Sequence, residues 1–240
     1  MNKKLIKRYT TLGILFFLPV IFLLMLFPAK HHYNPLDVVH RNVADLNNFI
    51  SEENQQIVLK DHITVLGFLG KNPINNTIAA SNLKELVYDK FKGFKKFQIV
   101  LLLPYGTENQ IDLLKREIKS YEDLKYWHFV FGEETDIKNV FKSLKSTHSL
   151  KEDLSTPDVF IIDKDLNQRG RLDDRTDNEK EKKKAAYPLY AYNCIEVAEI
   201  KNKMSADDLR VLFQEYREKR KGNFDSSSRR ANDLNNSHEQ

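Results

Sequence analysis

The 240-residue sequence holds a single cysteine, Cys194. One thiol excludes an intramolecular disulfide and any zinc site built on paired cysteines. No glycine-rich phosphate loop, no paired catalytic carboxylates and no Ser/His/Asp order stands out along the chain. A charge bias is missing too: 38 Lys and Arg stand against 34 Asp and Glu, for a formal net charge of +4. The excess lies at the N-terminus, in Lys3, Lys4, Lys7 and Arg8. Interleaved charges of both signs make a solvated surface, and no nucleic-acid partner is expected.

What is present begins with an uncharged run. Residues 12 to 27, "LGILFFLPVIFLLMLF", follow Lys3, Lys4, Lys7 and Arg8. With Thr10, Thr11, Pro28 and Ala29 the stretch reaches the roughly 20 residues that cross a bilayer. No cleavage site of the A-x-A type follows Phe27, so residues 12–29 read as an uncleaved transmembrane anchor and not as a signal peptide. Basic residues ahead of the span keep 1–11 in the cytoplasm. The rest is then sent to the periplasmic or other extracytoplasmic side of a single-pass protein. Residues 30–41 read as a linker, with "PLDVVHRNVADLNNF" at near-helical spacing. A compact domain is expected over 42–220. Residues 221–240 carry almost nothing to pack and read as a disordered tail.

Within the domain, short apolar runs alternate with amphipathic ones. The runs "ITVLGFL" (63–69), "FQIVLLLP" (97–104), "YWHFVFG" (126–132) and "PDVFIID" (157–163) have strand length. The stretches 79–91, 109–121, 137–144 and 204–220 have helical spacing. This alternation gives an α/β sandwich with a mixed or mostly parallel central sheet. Ser205 is placed to cap the last helix, with Asp207 and Asp208 at its positive end. "DKDLNQRG" reads as a hairpin turn. The run 173–186, "DDRTDNEKEKKKAA", has no apolar residue before Ala185 and reads as a solvated loop or a helix extension outside the core.

Two stretches carry a resemblance. "VLGFLGKNPINNTIAASNLKELVYDKF" resembles the active-site segment of thioredoxin-like proteins of the SCO/SenC type, and "TPDVFIIDKDLNQRGRLDD" looks like their "TPxxFLID" hairpin. The likeness covers roughly residues 57 to 220. It implies a thioredoxin-like sandwich, its mixed sheet flanked by helices, behind one N-terminal transmembrane helix. It also implies a place in the cell envelope, with respiratory oxidase assembly as one possible setting. The family's chemistry does not carry over residue by residue. With the family's proline on Pro73, the two cysteine positions fall on Asn72 and Asn76; shifted by one, they fall on Lys71 and Asn75. The family's metal-binding histidine lies a few residues before the "FLID" strand, where this chain has "STPD", and His148 lies farther back.

An asparagine amide is neither a thiolate nucleophile nor a good ligand for Cu(I). The expectation is therefore a non-catalytic module without a cofactor that binds an envelope partner. Its pseudo-active surface would be formed by Phe68, Leu69, Asn72, Pro73, Asn76, Thr156 and Pro157, with Pro157 in the cis form that the resemblance implies. The alternative is a metal protein using histidines, with His148 the candidate and His62 or the linker pair His31 and His32 as helpers. As structural residues, His62 and His128 are expected to be hydrogen-bonded at strand edges, and Cys194 to be a small buried strand residue.

Overall fold

The computed structural model describes residues 3–26, 35–118 and 124–221. Two units make up the chain, dividing between Asn34 and Pro35. The first is helix α1 (Lys3–Leu26), which contains Pro19. Its stretch Lys7–Met25 is long and apolar enough to cross a membrane, with a mean hydropathy of 1.8 and none of it buried. The end of the expected span, His31 and His32 lie outside the described residues, as does the expected tail beyond Lys221.

The second unit runs β1 (Asp37–His40), β2 (Ile50–Ser51), β3 (Ile63–Leu69), a 3-10 turn (Pro73–Asn76), α2 (Thr77–Leu83) and a π-helical turn (Lys84–Tyr88). It continues with α3 (Asp89–Phe91), β4 (Phe97–Pro104), α4 (Glu108–Ile118), β5 (Trp127–Gly132) and α5 (Glu134–Lys142). β6 (Ser155–Ile162), β7 (Gln168–Gly170), α6 (Asp177–Glu181), β8 (Tyr192–Asn193), a π-helical segment (Glu199–Asp208) and α7 (Leu209–Arg220) complete it. The strands lie in the order β1-β7-β6-β3-β4-β5-β2, with β8 paired to β6. β3, β4 and β5 are parallel. β6 runs against β3, β7 against β6 and β1 against β7.

Every residue of β3 and β4 is buried, because helices and loops cover both faces, and such strands read as continuous apolar runs. Val65, Leu69, Ile99 and Leu101 pack to one side with Leu83, Leu114 and Leu212 of the helices. Leu66, Phe68, Val100 and Leu102 pack to the other with Leu46, Leu59, Ile137 and Val140. Parallel β3–β4–β5, an antiparallel β6–β7 hairpin and a closing helix form the thioredoxin-like sandwich. The strand directions also fix its polarity. The ends of β3, β4, β5 and β7 and the starts of β6 and β1 share one end of the sheet, here called the upper end.

Two boundaries differ from expectation. Asp37–His40 is not linker but strand β1, in register with Gly170, Arg169 and Gln168, so the folded unit starts at Pro35. Ser205 is not a helix cap: the chain is already helical from Glu199, and Ser205 is buried within the π-helical segment. There its hydroxyl accepts from Lys90 Nζ at 3.1 Å. Ile200 and Met204 lie in the core, and their burial pulls the helix start back to Glu199.

Candidate functional site

The strand-to-helix turn after β3 stands where the resemblance places a reactive pair. Gly70 leaves the strand at φ 71°, and a Cβ there would sit 2.5 Å from the Asp153 carbonyl oxygen, so only glycine fits. The next amide, Lys71 N–H, donates to that same carbonyl at 2.8 Å. Lys71 Nζ pairs with Glu134 at 2.5 Å. Its hydrogen bond holds the exposed Glu134 carboxyl below the usual value. Pro73 opens the 3-10 turn and is buried, a position where its missing N–H costs nothing. Asn76 turns its side chain inward, its Nδ2 donating to the Leu69 carbonyl at 2.8 Å. At the place of a second thiol the chain thus carries a hydrogen bond that ties the helix start to the strand end. Asn72 stays exposed.

The expected surface is corrected in two respects. Phe68 is 1% exposed and packs edge-on against Phe141 and Phe160, at centroid distances of 5.3 and 6.1 Å. Leu69 is buried in the opposite core layer. Neighbouring strand residues point to opposite faces, so these two cannot line one surface. The second correction is Pro157, whose bond to Thr156 is trans, no cis peptide occurring among the described residues. Thr156 is buried and pairs with Phe68 across β3. On the other side of β6, Cys194 N–H donates to the Pro157 carbonyl at 2.8 Å, and β8 pairs with Asp158 and Val159. The chain's own residues therefore pair with the β6 backbone on both sides at this point. What stays accessible at the upper end is Asn72 and part of Asn76 and Pro157, flanked by exposed Ile74, Ile78 and Tyr105.

The histidine alternative finds a pair but no cage. His148 Nδ1 lies 2.8 Å from Oδ2 of Asp158, with the imidazole exposed and the carboxylate buried. This contact can orient the ring. No group of three or more His, Cys, Asp or Glu residues placed to hold a metal occurs among the described residues. Cys194, the sole thiol, is 1% exposed. Burial, aided by Asp158 and Glu199, pushes its pKa well up, so it offers no thiolate at neutral pH. This donor set does not fit Cu(I), which prefers soft thiolate or thioether ligands. His62 Nδ1 is 3.0 Å from the Lys60 carbonyl, and burial lowers the pKa of His128.

Sequence reasoning missed the charged seam between β7 and the C-terminal helix. Arg169 is fully buried and donates to Asp163 Oδ2 at 2.9 Å, Glu215 Oε2 at 2.5 Å and the Leu36 carbonyl at 2.6 Å. Arg171 grips Asp208 through Nε and Nη2 at 3.0 and 2.9 Å and reaches Asp174 at 2.9 Å. Burial disfavours its charge, but the bonds to Asp208 win and raise its pKa. Tyr192 O–H donates to Asp208 at 2.6 Å. One signal was available: Arg169 and Arg171 alternate on one face of a strand, and Asp208 and Glu215 stand seven apart on one face of a helix. The seam is structural.

No family model matches the chain, and no curated protein matches it. Among solved structures it is similar to a SCO1/SenC family lipoprotein from Bacillus anthracis str. Ames, at 14% identity over 57% of this chain and 86% of that one, TM-score 0.42. It is also similar to Arabidopsis thaliana ScoI with copper bound, at 13% identity over 71% and 98%, TM-score 0.41. A third is a thiol:disulfide interchange protein from a Bacteroides species, at 18% identity over 54% and 77%, TM-score 0.40. Likeness at this level carries no argument about chemistry, and the fold class rests on the strand order described above.

Proposed function

We propose that the protein is a membrane-tethered thioredoxin-like module that performs no thiol chemistry and binds a protein partner in the cell envelope through the upper end of its sheet. The observation that carries this reading is Asn76, whose amide is spent on the Leu69 carbonyl where a reactive thiol would stand. The accessible surface at that end comprises Asn72, the edge of Asn76 and Pro157, with Ile74 and Ile78 beside them. An oxidase under assembly is one partner to test. A photo-crosslinking residue at Asn72 should trap an envelope protein in cells, and one at Lys95, at the lower end, should not. Equal trapping at both positions would move the interaction site elsewhere.

The chemical side has its own test. The full chain should neither reduce a disulfide substrate nor hold one copper per chain, and Cys194 should resist thiol reagents until the fold opens. Reductase activity that survives Cys194→Ser would overturn the reading. So would one tightly bound copper per chain, and its loss in His148→Ala would assign it to the histidine.

We place the anchor in α1, with the N-terminus cytoplasmic and the domain outside. The chain should stay with membranes through salt and carbonate washing. Leu18→Arg, near the middle of the span, should weaken insertion by about 3 kcal/mol on translocon scales. Release of the wild-type domain as a soluble species would make the segment a cleaved signal.

A further inference from the structure

The run 173–186, read above as a solvated loop or a helix extension outside the core, carries helix α6 with no buried residue, and its base lies beside the start of the folded unit at Pro35. Leu172 N–H donates to Oδ2 of Asp37, two residues after Pro35, at 3.1 Å, and Leu172 is 45% exposed. Asp174 N–H donates to the Tyr187 carbonyl at 2.8 Å, which brings Tyr187, itself exposed, back to the same base. Between them stands α6, started by a capping box of Thr176 and Glu179. Most of the excursion's charge is paired within the domain: Asp173 with Arg175, Asp174 with Arg171 and Lys203, Asp177 with Lys180, and Glu179 with Lys184. Glu181, Lys182 and Lys183 remain, all exposed, leaving a net positive tip between two exposed apolar side chains.

We infer that this flap rests on the bilayer surface, with Leu172 and Tyr187 in the interface and Lys182 and Lys183 among anionic headgroups. The inference rests on the reading of α1 as an anchor. Nine Cα steps separate Leu26 from Pro35, at most about 30 Å of chain, so the bilayer surface lies within reach of the flap. Tyrosine and aliphatic side chains suit the interface, and lysines near an anionic surface add to the attraction.

The test uses the full chain in vesicles of phosphatidylglycerol with phosphatidylcholine, doped with a lipid that carries a quencher near its headgroup. An environment-sensitive dye is attached at Leu172→Cys or, as reference, at Lys95→Cys, both in a Cys194→Ser background. The dye at 172 should lose most of its emission to the lipid quencher, and the dye at 95 should lose little. Lys182→Gln with Lys183→Gln should reduce the docked-to-free ratio roughly fivefold for each lysine removed, and vesicles of phosphatidylcholine alone should do the same. Equal quenching at 172 and 95 in carbonate-resistant vesicles overturns the inference and leaves the anchor standing, whereas chain that washes off in carbonate refutes the anchor itself. A dye at 172 that is shielded in detergent solution and insensitive to the lipid quencher assigns the flap to a second copy or another protein, and also overturns it.

Discussion

Arg169→Leu should lower the stability of the domain by about 3–5 kcal/mol, read from urea unfolding followed by far-UV circular dichroism. The size follows from what is left behind. Asp163 stays buried at 1% side-chain exposure without its cation, and Glu215, equally buried, keeps only Lys219; removing one partner of a buried pair is far costlier than replacing the pair. The triple variant Arg169→Leu, Asp163→Asn, Glu215→Leu should recover most of the loss. Asparagine at 163 keeps an oxygen for the Asp165 and Asn167 amides. A triple variant as unstable as the single one would show that the seam is valued for more than charge balance.

The same seam sets an acid limit. Burial pushes the Glu215 carboxyl up, but Arg169 and then Lys219 pull harder, and the net is a pKa below the ordinary 4.5. A folded value below the unfolded one contributes stability that is complete above 4.5 and lost as pH falls through the folded value. Wild type should therefore lose stability more steeply below pH 4.5 than Glu215→Gln does, in parallel urea titrations.

Phe68→Ala is the second large effect, expected at about 3–5 kcal/mol, the range for emptying a packed aromatic site. The ring fills the layer between Phe141 and Phe160, in the core cluster that also holds Val100, Leu102, Ile137 and Val140. A loss below 1 kcal/mol with weakened partner trapping at Asn72 would return Phe68 to the binding surface.

The contrast between Phe68 and Asn72 shows where the sequence was legible. The runs 63–69 and 97–104 match β3 and β4 residue for residue, since strands covered on both faces must be apolar throughout. That same uniformity hides which face each residue takes, so Phe68 read as surface. β1 stayed hidden because "DVVH" is a half-buried edge strand whose partner lies some 130 residues away, a pairing that no local period records. The turn with Asn72 and Asn76 was visible as a strand-to-helix junction without thiols. The Asn76 bond to Leu69 depends on side-chain direction, and the trans state of Pro157 on its loop; neither is written in residue type. Ser205 misled for a simpler reason: Ser ahead of Asp resembles a cap wherever it occurs, and only the burial of Ile200 and Met204 shows that the helix has already begun.

The Leu36–Arg169 bond also orders events in time. β1 is the first strand of the domain, yet it pairs with β7, and the Leu36 carbonyl just before it accepts from a residue 133 positions later. A chain that appears N-terminus first holds Leu36 ready long before Arg169 exists. Contacts so distant in sequence form slowly, and an unpaired strand is open to misassembly meanwhile. The N-terminal edge of the domain therefore closes late, and truncations before residue 170 should leave it open however well β3, β4 and β5 have assembled.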